Sequence, residues 1–205
     1  MKYFLFLAFA FASTVPVIAQ SPWVDCAEEA KKSNVATEKK QIDYAEIIRR
    51  EQILKTCLSE KPLPNFSATS LEGKTITPQD VKDKVVLVNF WFIGCAPCIK
   101  EIPMFNELNE EYKDRGFVIL SFARDNQSSL KDFTKKTPLN FNVFPSAGNL
   151  IEKTFGVVNG YPTNLLLNKK GMMVEYSTGG AIDDVGIART KEKMRQLIEK
   201  ELASK

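Results

Sequence analysis

The sequence predicts an α/β fold: a central mixed β-sheet with helices on both faces in three layers, entered through an N-terminal β-hairpin, carrying a helical insert and preceded by a helical extension. Three observations carry this expectation. The run Val85-Val86-Leu87-Val88-Asn89-Phe90-Trp91-Phe92 is apolar almost throughout, as a strand buried on both faces must be. It leads into Cys95-Ala96-Pro97-Cys98 and an amphipathic helical pattern, after which strand-like and helix-like segments alternate to the end of the chain. Upstream, Lys61-Pro62-Leu63-Pro64 breaks a charged helical stretch and separates residues 20–61 from residues 62–205.

In chain order, Met1-Lys2, an apolar stretch, a break at Pro16 and Val17-Ile18-Ala19 read as an export signal over residues 1–19, cleaved after Ala19. An uncleaved anchor is the competing reading, because residues 3–19 approach the lower limit of a spanning helix of about 17 residues. Residues 25–32 form a short helix with Asp25 as its cap, and residues 37–58 form a longer amphipathic one carrying Ile42, Ala45, Ile48, Ile53, Leu54 and Leu58. Residues 65–71 and 74–77 flank Glu72-Gly73 as a hairpin, and Thr77-Pro78 starts a one-turn helix. The strand 85–92 is followed by a helix over 95–115 with Ile99, Ile102, Phe105, Leu108 and Tyr112 on one face, a kink expected at Pro103 and a stop at Gly116. Then come a strand over 117–123, the helical insert 128–136, a strand over 141–146 and a short helix over 149–155. A hairpin of 163–168 and 172–177 turns across Lys169-Lys170-Gly171, and an amphipathic helix over 184–202 closes the chain.

Composition removes several function classes. The 28 Lys and Arg are interleaved with 25 Asp and Glu, and a net charge of +3 does not suggest a nucleic-acid partner. Histidine is absent, which excludes His-dependent bases and Ser/His or Cys/His nucleophile pairs. Export places the four cysteines in an oxidising compartment, the periplasm or cell envelope, where disulfides persist. Cys95 and Cys98 form one close pair, leaving Cys26 and Cys57. A Cys26–Cys57 disulfide would pin the two N-terminal helices as a hairpin, and closing a loop of about 30 residues contributes on the order of 3 kcal/mol. Two free or intermolecular thiols are the alternative.

A Cys-x-x-Cys at a strand-to-helix junction sets its first sulfur at a helix N-terminus, where unpaired N–H groups favour a thiolate and lower thiol pKa values into a range of about 3.5 to 7.5. Cys95 is then the nucleophile and Cys98, one turn further in, the resolving thiol. The isolation of Cys26 and Cys57 and the lack of histidine argue against a zinc site, and Ile99 where His is required excludes haem attachment. No metal and no cofactor are expected. Glu101, three residues after Cys98, lies on the same side of the helix within reach of the pair; from the residues alone it reads equally as a proton-transfer group or an exposed helix carboxylate.

The chain resembles the thioredoxin superfamily and, within it, the TlpA/ResA-like periplasmic thiol-disulfide oxidoreductases. The matching residues are Pro64-Asn65-Phe66 with Gly73-Lys74, Val88-Asn89-Phe90-Trp91, Cys95-Ala96-Pro97-Cys98, Glu101-Ile102-Pro103 and Gly160-Tyr161-Pro162-Thr163, over about residues 63–202. The resemblance implies a thioredoxin-like domain over 62–205, Glu101 as the active-site carboxylate and Pro162 in the cis form facing the redox pair. Tyr161, Pro162, Ala96 and Pro97 would then contact substrate. It also implies protein disulfide substrates, apocytochrome c among them, and a membrane thiol-disulfide electron donor. Two positions depart from the pattern. Gly94 stands where the family usually has Trp, so that part of the substrate platform is missing or supplied by Phe92 or Ile93. Asn89 stands where thioredoxin has a buried aspartate, so proton transfer needs another group. The reading is an exported oxidoreductase acting as a reductase; a thiol oxidant or isomerase, and a binding module with a permanent disulfide, are the alternatives.

Overall fold

The computed structural model describes residues 21–32, 44–59 and 61–204, so the export segment 1–19 and the first part of the helix expected over 37–58 lie outside the described residues. Helix α1 spans Pro22–Lys32 and α2 spans Tyr44–Leu58. α1 begins three residues before the expected Asp25 cap. The Ser21 hydroxyl accepts the Trp23 N–H at 3.3 Å, and Pro22, which has no N–H to leave unpaired, takes the first helical position. Trp23 is thereby drawn into the helix and buried.

The hairpin strands β1 (Ala68–Thr69) and β2 (Thr75–Ile76) are shorter than their sequence pattern, and a 3-10 turn follows over Pro78–Val81. Five further strands, β3 (Val85–Trp91), β4 (Phe117–Ala123), β5 (Asn142–Phe144), β6 (Thr163–Leu167) and β7 (Met173–Thr178), make one sheet in the order β5-β4-β3-β6-β7. β3, β4 and β5 run parallel, while β6 pairs antiparallel with β3 and β7 antiparallel with β6. The central strand β3 is buried along its whole length, which is why its sequence is apolar without alternation. The helices are α3 (Ala96–Tyr112), α4 (Gln127–Thr134), α5 (Gly148–Lys153) and α6 (Asp184–Ala203). α3 continues through Pro103 and passes into a 3-10 turn over Lys113–Arg115 before Gly116.

The pleat divides the core. Val86, Val88, Phe90, Leu120, Phe122, Leu165 and Leu167 face one side, and Val85, Leu87, Trp91, Ile119 and Leu166 face the other, where Ile102, Phe105 and Leu108 of α3 and Met194 and Ile198 of α6 cover them. The first side is aromatic: Phe66, Phe90, Phe122, Phe144 and Phe155 contact one another with centroid separations between 4.8 and 5.7 Å. α1 and α2 complete this side rather than standing apart from it. Trp23 meets Phe155 edge-on at 5.8 Å and donates its indole N–H to the Pro62 carbonyl at 2.8 Å. A disulfide joins Cys26 to Cys57, and α2 lies along the edge strand β7, where Lys55 pairs with Glu175 at 2.7 Å and the Glu51 carboxylate accepts the Thr178 N–H. An otherwise open sheet edge is covered.

Candidate active site

The C-terminal end of β3 delivers the chain to the turn Phe92-Ile93-Gly94, held by the Ile93 N–H on Asp125 Oδ2 at 2.8 Å and the Cys95 N–H on the Phe92 carbonyl at 3.1 Å. Cys95 caps α3: its sulfur accepts the Cys98 N–H at 3.3 Å, using one of the donors that a helix N-terminus leaves unpaired. Pro97, which offers no N–H, leaves the sulfur to that single donor. Cys95 and Cys98 are disulfide-bonded and buried, each less than a tenth exposed.

One turn along α3, Glu101 is 1% exposed. Burial pushes its carboxyl up from 4.5 to about 7, against a hydrogen bond from Asn164 that favours the anion. A carboxyl with a pKa of about 7, one helical turn from a cysteine pair, is suited to carrying a proton once the pair is reduced.

Across from this turn the Tyr161-Pro162 bond is cis. The Pro162 carbonyl accepts the Gly179 N–H at 2.8 Å, and the Thr163 hydroxyl donates to the Gly160 carbonyl at 2.7 Å, fixing the loop on both sides. Gly180 then packs so closely that a Cβ there would stand 3.1 Å from Glu101 Oε1, 3.1 Å from Pro162 Cγ and 3.2 Å from Pro97 Cβ. Tyr161 meets Phe92 edge-on at 5.4 Å, and Arg124 bonds both its hydroxyl, at 3.1 Å, and Glu152, at 2.6 Å. Phe92 lies against Gly94: a Cβ at that position would approach the Phe92 ring to 3.1 Å. Trp91 is core, 2% exposed and packed on Phe133.

Of the residues singled out in the sequence, Cys95, Ala96, Pro97, Cys98, Glu101, Tyr161 and Pro162 come together where α3 begins. Cys26 and Cys57 lie with the aromatic core on the opposite side of the sheet. Among the described residues no group of three or more His, Cys, Asp or Glu could hold a metal ion. Sequence reading missed Asn164, Ser121 and Gly180. The first two carried a signal: Ser121 is the one polar residue of an otherwise apolar strand, and Asn164 follows Thr163 as a polar pair at the head of an otherwise apolar one.

Residues 60–176 match the AhpC/TSA family. The chain is 38% identical over 141 residues to the thiol-disulfide oxidoreductase ResA of Bacillus anthracis, covering 68% of this chain and 76% of that protein. A thioredoxin domain of a thiol-disulfide oxidoreductase from Bacteroides vulgatus superposes with a TM-score of 0.55 at 26% identity, covering 66% of this chain and 96% of that one. A thioredoxin-family thiol:disulfide interchange protein from Chlorobium tepidum superposes with a TM-score of 0.59 at 23% identity, covering 69% and 96%, a likeness of fold. The chain therefore belongs to the AhpC/TSA family in its thioredoxin-like branch, and it is a thiol-disulfide oxidoreductase of the ResA type.

Proposed function

We propose that the protein works as an exported reductase of protein disulfides in the cell envelope, with residues 1–19 directing export, residues 20–61 forming a stabilising extension and residues 62–205 carrying the exchange. The observation that carries the direction of electron flow is Glu101: the ionisable group buried in the first turns of α3 is a carboxyl, not a cation. Strong oxidants of this chemistry owe their potential to a heavily stabilised thiolate, whereas here Cys95 Sγ has one backbone donor and a neighbouring acid that becomes anionic above neutrality.

In the reduced protein, Cys95 thiolate attacks one sulfur of the substrate disulfide, forming a mixed disulfide and expelling the first substrate thiolate. Glu101 carboxylate takes the Cys98 proton, and the Cys98 thiolate attacks Cys95 Sγ. The second substrate thiolate leaves, and both substrate thiolates are protonated, one by Glu101 and one by solvent. The substrate disulfide gains two electrons and the enzyme dithiol loses them. Tyr161 backbone, cis-Pro162, Ala96 and Pro97 hold an extended substrate segment beside the pair, in the manner of a short added strand. Disulfides of apocytochrome c are one substrate of suitable chemistry, and a membrane-borne dithiol is the donor that restores the pair.

A Cys98→Ala variant tests this reading. It should accumulate mixed disulfides through Cys95 with exported proteins, and mass spectrometry of the adducts names the substrates. A variant that traps nothing, either in cells or with a small test disulfide, points to a binding module with a permanent disulfide.

A further inference from the structure

One row of the sheet is polar where its neighbours are apolar. Ser121 of β4, Asn89 of β3 and Asn164 of β6 stand side by side in register, all buried. They are bonded in one direction. Ser121 Oγ donates to Asn89 Oδ1 at 2.8 Å, Asn89 Nδ2 donates to Asn164 Oδ1 at 2.8 Å, and Asn164 Nδ2 donates to Glu101 Oε2 at 3.0 Å. The carboxylate end sets the direction: ionised Glu101 can only accept, whereas the Ser121 hydroxyl can serve either way, so a flipped Asn164 would set carbonyl against carboxylate and NH2 against NH2. Glu101 Oε2 is thereby tied to the sheet, while Oε1 lies toward Gly180, Pro97 and Pro162. On that side Glu101 also lines a cavity of about 350 Å³ with Tyr44, Thr178, Thr190 and Lys193.

We propose that Asn164 is the positioning residue of the exchange reaction: fixed through Asn89 and Ser121, it holds Glu101 Oε2 against the sheet, so that the proton is taken up and released at Oε1, on the side of the redox loop and the cavity. This rests on the proton-transfer role assigned to Glu101. The titratable groups that face Glu101 are the Cys95–Cys98 pair on its own helix, Tyr44 of α2 and Lys193 of α6 across the cavity; β6 and the loop after β7 present the neutral Asn164, Thr178 and Gly180. The Asn164 bond favours the anion, so its loss raises the pH at which Glu101 gives up its proton.

The test is the pH profile for reduction of a peptide disulfide by the reduced protein, in wild type, Asn164→Leu and Glu101→Gln, with an NMR titration of the wild type that needs no variant. Asn164→Leu should move the midpoint assigned to Glu101 upward by about one pH unit, the scale of one hydrogen bond to a charged group. In the wild type, the Asn164 side-chain amide resonances should move with the same midpoint as the Glu101 carboxyl carbon. An Asn164→Leu protein that loses rate equally at every pH with an unmoved midpoint overturns the proposal, as do amide resonances that ignore the Glu101 titration. If Asn164→Leu does not fold, the NMR titration decides. A Glu101→Gln profile that matches wild type removes the proton-transfer reading, and this proposal with it; a changed Glu101→Gln profile beside an unmoved Asn164→Leu midpoint removes this proposal alone.

Discussion

The Cys26–Cys57 disulfide joins two helices across 31 residues of sequence, whereas Cys95–Cys98 closes a single helical turn across three. Their surroundings differ more than their spans. Cys26 is buried with Trp23, Leu54 and Leu58 in an apolar cluster, where a thiolate would be desolvated without compensation. Cys95 accepts a backbone N–H at a helix N-terminus and has a buried carboxyl one turn beyond its partner. The long span gives the first bridge its leverage on the unfolded chain; the second is also set in an apolar cluster, and the backbone donor and buried carboxyl near it are what support the exchange role proposed for it. The same covalent bond is thus assigned two roles by what lies around it.

The largest effect that separates the two sites is on activity. Cys95→Ser should reduce disulfide exchange to background, whereas Cys26→Ala with Cys57→Ala should keep exchange and lose about 3 kcal/mol of stability, read from denaturant unfolding. Equal activity in the two proteins would erase the distinction. Trp23→Ala, beside the first bridge, should lose about 3 to 5 kcal/mol by opening a cavity against Phe155 and orphaning the Pro62 carbonyl, with the exchange rate of the folded fraction unaltered.

Glu101→Gln separates the two sites through the pH dependence of stability. The folded carboxyl titrates near 7 and an unfolded one near 4.5, so the folded oxidised protein holds the proton more tightly. Stability from this group is complete below pH 4.5 and is lost as pH rises through about 7, a difference of about 3 kcal/mol. Denaturant unfolding of the oxidised protein across this window should show that fall in wild type and not in Glu101→Gln.

The apolar strand β3, the Cys-x-x-Cys at its end and the alternation after it were readable because each is a local pattern set by burial or a helix start. Element ends were less so. Ser21-Pro22 is the true start signal of α1, yet Asp25 has equal standing as a capping residue until Trp23 is seen buried. Packing of α1 and α2 into the aromatic core depends on Phe66 and Phe155 meeting Trp23 and Phe122, contacts that no periodicity records. In the site, Cys95, Cys98, Glu101 and Pro162 were visible as residue types in order. The Ser121-Asn89-Asn164 row was not, because it needs the strand order β4-β3-β6 and its register, which pair residues 32 and 75 positions apart in sequence.

The most direct test opens both bridges in one experiment: equilibrate the protein across graded dithiol buffers and map each cysteine pair by differential alkylation. Cys95–Cys98 should open first, near about −270 mV, while Cys26–Cys57 stays closed to below about −300 mV. If Cys26–Cys57 opens first, or Cys95–Cys98 titrates near about −120 mV, the division of roles or the direction of electron flow is wrong.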